Sequence, residues 1–445
     1  MLLLRAGAVM YNMIERGDHG GWLCKVKNRK KILMLTISLL VVLLVVTVMI
    51  FYPAIVADYI ELDPSFEAAL RVNYPELFDL IGITQERAAQ VTSLRLGSLL
   101  EPLPFEPITS LGGIEHFTAL EELNIDMNQL TEINLSHNTA LRWLRIERNQ
   151  LLELDLSNNT ALEWVMANDN HLTELDLSNN LQLEAIEVGR NRLSELDVSS
   201  NVALSWLRAD QNHLSVLDLS NNPDFTHIYI QRNRLTELNL SNHPRMYILY
   251  ICYNQITEID LSNNTGLMVA SVRGNMITEL DLSNNVGLRL LDAGENLLLE
   301  IDLSNNTQLW DVNLDGRFLT SLDVSNNPYL THLHANGNFL TELDLSNNLR
   351  LRQIEVSGNL LNTLILPTTD ELVWVDASRN LLTELDVSGN TELGSNHRNM
   401  ARGTYGFLDV RHNRMNCSND VIGWENSFEL ELDYNFLFYP QNIRN

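Results

Sequence analysis

Three tryptophans, Trp143, Trp164 and Trp206, stand at whole multiples of 21 residues from one another. Arg145 and Arg208 lie two residues beyond the first and third, and His227, Tyr229 and Tyr250 continue the same two registers. Trp, Tyr and Arg dominate binding hot spots because they join a large contact area to a hydrogen-bonding or charged end. Indole rings left facing water at a repeated position are costly unless a partner covers them. The chemistry these residues offer is recognition: an aromatic and basic platform for a protein or a sugar ring. The competing use is stacking along the ladder, where a neighbouring pair adds only ~0.2–1 kcal/mol to a sheet.

Further along, Asp311 and His332 take the tryptophan register, and His334 and Glu355 the arginine register. Two imidazoles ~6–7 Å apart on one strand face, with a carboxylate one strand away on either side, are ligand types that zinc accepts. Such a strand face is flat and open, and a solvated, charge-balanced surface outweighs a metal centre. No cofactor is assigned. Two acidic columns repeat as well. One runs Glu132, Glu153, Glu174, Glu195, Glu237, Glu258 and Glu279, the other Asp155, Asp176, Asp197, Asp218, Asp260, Asp281 and Asp302. Like charges at ~5 Å repel by about 1 kcal/mol in water. Each aspartate is expected to offset this by accepting a backbone N–H in its own turn. No G-x-S-x-G, H-E-x-x-H or phosphate-binding loop occurs, so the chain is not read as an enzyme.

What must position these side chains is a repeat. Leu130, Leu151, Leu172, Leu193, Leu214, Leu235, Ile256, Ile277, Leu298, Leu319, Leu340, Leu361 and Leu382 keep the 21-residue step without a break. One unit reads L-x-x-L-x-I-x-x-N-x-L at Leu141, Leu144, Ile146, Asn149 and Leu151, then LELDLSNNTA. That is a leucine-rich pattern, in which a short strand opens each turn of a solenoid and every turn buries its apolar edge against its neighbours. Alternation along the strand sends Leu144 and Ile146 inward and leaves Trp143, Arg145 and Glu147 on the open face. The asparagines in register with Asn149 turn inward, and their amides must bond backbone there. Arg317 interrupts that column; its turn is expected to open and send the guanidinium to solvent. A polar, basic excursion with His397, Arg398 and Arg402 lies at 394–406, where a loop on a regular scaffold can carry contacts.

The chain has 445 residues, 45% of them hydrophobic, and a net charge of −27. One solenoid absorbs most of that length. So acidic a body repels nucleic acid, which is not expected as a partner. Residues 1–31 differ, with seven Lys or Arg against Glu15 and Asp18. An uncharged apolar run over 32–52 follows, long enough to span ~30 Å of hydrocarbon. Lys25 to Lys31 precede it and Asp58, Glu61 and Asp63 follow, so the positive-inside rule predicts a cytoplasmic N-terminus and repeats outside the cell. The alternative is a secreted product cleaved near AIVADY (54–59), but the apolar run exceeds that of a signal peptide. The three cysteines, Cys24, Cys252 and Cys417, are too far apart to form a disulfide framework.

The unit N-x-L-T-E-L-D-L-S-N-N resembles bacterial cell-surface proteins of the internalin superfamily, nearest its internalin J-like subgroup. The stretch ITSLGGIEHFTALEEL also resembles the internalin-type repeat. The likeness covers about 63–445 and implies adhesins that hold host proteins or glycans. Two departures stand out. That subgroup often places cysteine at the second inward strand position, here Ile146, Ala167, Val188, Ala209, Ile230 and Ile251, and no LPxTG-like sorting motif is found.

The resulting expectation is a mainly β, α/β-type solenoid: a curved horseshoe of 21-residue turns preceded by one transmembrane helix. Its parts are a basic cytoplasmic tail (1–31), a signal-anchor (32–52), a tether (53–62) and a helical cap (63–93). Leucine-rich repeats (94–416) and an irregular C-terminal cap (417–445) complete it. The cap's helical spacing is read through Phe66, Leu70, Leu77 and Leu80. The expected function is adhesin-like binding of a host or envelope protein or glycan on the concave face, through Trp143, Trp164, Trp206, His227, Tyr229 and Tyr250, with Arg145 and Arg208 steering. The alternative is an envelope scaffold that binds the cell's own wall polymer or a membrane partner.

Overall fold

The computed structural model describes residues 36–47, 56–97, 106–395, 406–427 and 430–442. They fall into two compact units, Met1–Ile60 with Phe78–Gln85, and Glu61–Leu77 with Glu86–Asn445. In the first unit, residues 36–47 are helical. Tyr59 bridges Thr84 in antiparallel fashion, and its hydroxyl donates to Asp79 Oδ2 at 2.6 Å. No described helix is long and apolar enough to cross a membrane. The expected span at 32–52 is thus seen only over 36–47, and its remainder lies outside the described residues, as do residues 1–31.

The second unit opens with helix Pro64–Asn73. Asp63 caps it, accepting from the Ser65 and Phe66 amides, while Pro64 occupies the first turn, where no intrahelical N–H is needed. Phe66, Ala69 and Leu70 are buried from it. The helix stops there because Pro75 follows two residues later and disfavours helical backbone before itself. This corrects the helical spacing read from the sequence: Leu77 sits in a short 3-10 turn and Leu80 is fully exposed beyond it.

Each repeat then contributes a three-residue strand, and among the described residues sixteen strands, the last of them two residues long, pair in one parallel sheet in chain order. Their register is the sequence period itself: Trp143 pairs with Trp164, Leu144 with Val165 and Arg145 with Met166. Leu144 and Ile146 are fully buried, as the alternation requires. The fold is a mainly β solenoid. On the second side of the turns two short parallel pairs form near the C-terminal end, Glu342–Asp344 with Thr363–Ile365 and Leu385–Asp386 with Val421–Ile422.

Two asparagine ladders hold the turns. Asn149 Oδ1 accepts the Leu130 amide at 3.0 Å, and its Nδ2 donates to Ile125 O in the preceding turn at 3.0 Å. Asn170, Asn191 and Asn212 repeat the arrangement. The other ladder runs on the second side: Asn159 Nδ2 donates to Leu135 O and Asn138 O at 3.1 and 2.9 Å. Arg317 breaks the first ladder as expected. It is exposed, and the Phe318 amide is drawn to Asn338 Oδ1 at 3.3 Å instead of to the leucine carbonyl one turn back. A small cavity lined by Ala293, Leu298, Arg317 and Asn338 marks the gap.

Phe436–Leu437 adds the last strand of the main sheet, beside Phe407–Asp409. Phe436 and Phe438 are fully buried there, with the Trp424 ring 5.1 Å from Phe436. Of the 394–406 excursion, residues 396–405, with His397, Arg398 and Arg402, lie outside the described residues. Cys252 and Cys417 are free thiols, and Cys252 follows its strand rather than lying in it.

Candidate functional site: the open sheet face

Strand pairing aligns the two registers into columns. Trp143, Trp164, Ala185, Trp206 and His227 follow one another strand by strand, and beside them run Arg145, Met166, Glu187, Arg208, Tyr229 and Tyr250. At the start of the column Trp143 and Trp164 are 37% and 38% exposed, much for rings of that size. The Arg142 guanidinium lies 4.7 Å over the Trp143 ring. From Trp206 onward the rings close up. Trp206 stacks on His227 at 4.5 Å and Tyr229 on Tyr250 at 5.3 Å, while Trp206 tilts against Tyr229 at 5.5 Å. Ladder stacking therefore accounts for the second group. It does not account for Trp143 and Trp164, between which no ring contact forms.

The two arginines are committed to carboxylates of their own sheet. Arg145 pairs with Asp126 at 3.0 Å and approaches Glu147 at 3.7 Å. Arg208 pairs with Asp210 at 2.7 Å and Glu187 at 3.8 Å. Burial raises the Asp126 carboxyl to about 6, against the pull of the Glu147 amide and Arg145. Asn168 links Glu147 and Glu187 by donating to both. Each guanidinium is thus held between two carboxylates, and the floor beside the aromatic column keeps an acidic excess.

The sequence reading missed the length of that column. Ile248, Val269 and Leu290 continue it past His227, each half-buried. Tyr247 flanks it, 5.9 Å from the His227 ring. The 21-residue spacing contains this signal, but attention to aromatic types passes over the aliphatic members. A further exposed series, Met276, Leu297, Phe318, Phe339 and Leu360, runs one residue beyond the ladder position on five successive turns, that position being Arg317 before Phe318 and a buried asparagine before the others.

The polar end of the face does not gather into a metal centre. Asp311 pairs in register with His332, and His334 with Glu355. His332 Nδ1 lies 2.8 Å from Thr331 Oγ1, whereas His334 Nδ1 lies 3.2 Å from Glu355 Oε2. That hydrogen bond raises the His334 pKa and holds Glu355 down at about 2. Burial lowers His332 and raises Asp311. Among the described residues no three His, Cys, Asp or Glu converge as an ion would need.

In the L-D-L-S or L-D-V-S segments on the second side of the turns the aspartates behave as expected. Asp155, Asp176, Asp197 and Asp218 each accept the amide of the serine two residues on, at 2.9 Å. These bonds hold their carboxyls below the ordinary range.

Parallel strands in chain order, 21-residue turns and paired asparagine ladders define an internalin-like leucine-rich repeat solenoid. Among solved structures, the chain is similar to the functional domain of InlJ from Listeria monocytogenes, at 28% identity and a TM-score of 0.67, over 85% of this chain and 80% of that one. YopM from Yersinia enterocolitica aligns at 26% identity and a TM-score of 0.57, over 73% of this chain and 66% of YopM. The internalin InlF from Listeria monocytogenes shares the fold at 24% identity and a TM-score of 0.53, over 69% of this chain and 89% of that one. The InlJ domain includes a cysteine ladder. Here the second inward strand column, Ile146, Ala167, Val188, Ala209, Ile230 and Ile251, is buried and free of cysteine. No family model matches the chain, and no curated protein matches it.

Proposed function

We propose that this chain is a membrane-anchored, extracytoplasmic binding protein, adhesin-like in action, whose open sheet face holds a protein or glycan ligand. The observation that carries the reading is the pair Trp143 and Trp164, adjacent in register and both exposed on a rigid parallel sheet. A rigid scaffold presenting aromatic anchors spends little ordering free energy on binding. Trp206, His227, Tyr229 and Tyr250 extend the surface, and Arg145 and Arg208, held by their carboxylates, border it rather than steer by free charge. The anchor is the apolar run at 32–52, with the basic residues before it on the cytoplasmic side.

Two experiments test this. Protease treatment of intact cells removes the repeats if they lie outside; repeats that resist until lysis contradict surface display. The full-length protein in neutral detergent is also screened against arrays of host proteins, mucin glycans and wall polymers. A host component bound through the tryptophans supports adhesion. Binding to wall polymer alone moves the chain to an envelope scaffold.

A further inference from the structure

The edge that follows the strands of six successive turns carries a cationic pattern unlike the acidic repeats around it. On either side of each buried ladder asparagine, one residue faces solvent. In successive turns these flanking pairs are Arg148/Gln150, Asp169/His171, Arg190/Arg192, Gln211/His213, Arg232/Arg234 and Tyr253/Gln255. Arginine thus recurs on every second turn. With ~4.8 Å between neighbouring parallel strands, the arginine sets stand about 10 Å apart along a straight row.

Three observations set these side chains apart from the needs of the turn and of the acidic surface around them. Arg148, Arg190 and Arg232 occupy left-handed backbone, at φ of 52°, 54° and 59°. That conformation costs a side-chain-bearing residue about 1–2 kcal/mol, and glycine takes it at Gly274, Gly337 and Gly358 in later turns. The cations are also available. Asp169 is the one carboxylate in the row and lies 4.0 Å from Arg148 and 3.5 Å from Arg190. Arg192 and Arg234 are exposed and form no ion pair among the described residues, and Arg232 rests 5.1 Å over the Tyr253 ring. Finally, the glutamate column that borders the row is broken beside its centre. Between Glu195 and Glu237 it holds Val216, which is 65% exposed.

We infer that this edge is a docking row for a linear anionic glycan, one bearing phosphate, sulfate or carboxylate groups at regular intervals. The guanidinium fork matches such oxyanions in a bidentate way. The row is only two side chains wide, and the adjoining glutamates confine a polymer to it. A nucleic acid fits less well: single strands are held by rings on which bases stack, and the row's Tyr253 ring is covered by Arg232. This surface is separate from the open face, and the inference does not depend on the reading given to the tryptophans.

The test is a binding titration of the full-length protein, in neutral detergent, against heparin and against polygalacturonate, each at 50 and 200 mM salt. Neutral dextran, single-stranded DNA and anionic vesicles are run alongside. The variant Arg190→Gln/Arg192→Gln/Arg232→Gln/Arg234→Gln removes four of the row's five arginines; Gln211 shows that the turn accepts glutamine. The control Arg245→Gln/Arg289→Gln/Arg350→Gln/Arg352→Gln removes equal charge elsewhere. Salt-sensitive binding to at least one anionic glycan is expected, weakened roughly tenfold or more in the row variant and little changed in the control. Failure to bind either glycan at 50 mM salt overturns the inference. So does equal loss in both variants, or binding confined to DNA or vesicles.

Discussion

At the scale of single residues, the asparagine ladder shows how much one amide carries. Asn191 Oδ1 accepts the Leu172 amide at 3.0 Å, and its Nδ2 donates to Ala167 O and Val188 O at 3.0 and 3.1 Å. Replacing it by alanine strands buried backbone groups, each worth about 1–3 kcal/mol. Asn191→Ala is therefore expected to lose at least about 2 kcal/mol in urea unfolding; a loss within 0.5 kcal/mol, roughly that of a neutral surface change, contradicts the ladder's role. Arg317 supplies the converse case. In its register the Leu298 amide lacks the acceptor that an asparagine supplies in the neighbouring turns. Arg317→Asn should restore it and stabilise the protein by about 1 kcal/mol. An unchanged or lowered unfolding midpoint argues that the opened turn has relaxed into its own stable form. The break at Arg317 was legible because one residue departs from a column of identical ones. The pairing of Arg145 with Asp126 was not, since ion-pair choice depends on side-chain rotamers that the repeat leaves free.

At the scale of the strand, the His334–Glu355 contact links stability to pH. His334 is raised above its ordinary 6.5, so its contribution is whole below that pH and is lost as pH climbs through the raised value. Glu355 is held at about 2 against an ordinary 4.5, so its contribution is whole above 4.5 and is lost as pH falls toward 2. The pair thus contributes most between about pH 4.5 and 6.5. Glu355→Gln should lower the unfolding temperature most near pH 5.5, and by less at pH 9 and near pH 2.5. A difference constant across that range would mean that the two groups do not couple. Strand placement was fully legible here, because a 21-residue period fixes which residues become neighbours. The helix of the cap was legible in the spacing of Phe66 and Leu70, but its end was not: Leu77 and Leu80 keep helical spacing although Pro75 has already ended the helix.

At the scale of the whole chain, 57 acidic residues against 30 Lys and Arg give a body that repels itself. Each aspartate of its column is locally satisfied by its serine amide, which answers the short-range cost but not the sum of the two columns. Unfolding temperature is expected to rise on going from low salt to about 0.5 M sodium chloride, as screening shortens the reach of that repulsion. A fall would mean that the ion pairs, such as Arg142 with Glu163 and Arg352 with Glu371, outweigh it. The fold followed from periodicity alone, since a solenoid turn contacts chiefly its neighbours. The make-up of the open face was legible in its aromatic members and incomplete in its aliphatic ones. The cationic edge went unnoticed because its period is two turns rather than one.

The central claim is that Trp143 and Trp164 are exposed in order to bind. Its most direct measurement is an equilibrium titration of the ligand found on the arrays against the wild-type chain and Trp143→Ala/Trp164→Ala/Trp206→Ala. The two unfolding curves are recorded beside it. The account predicts at least about a hundredfold loss of affinity, the scale of central aromatic hot spots, with both chains still unfolding in a single cooperative transition. Affinity within about threefold of wild type would place the ligand elsewhere and leave the tryptophans as part of the ladder.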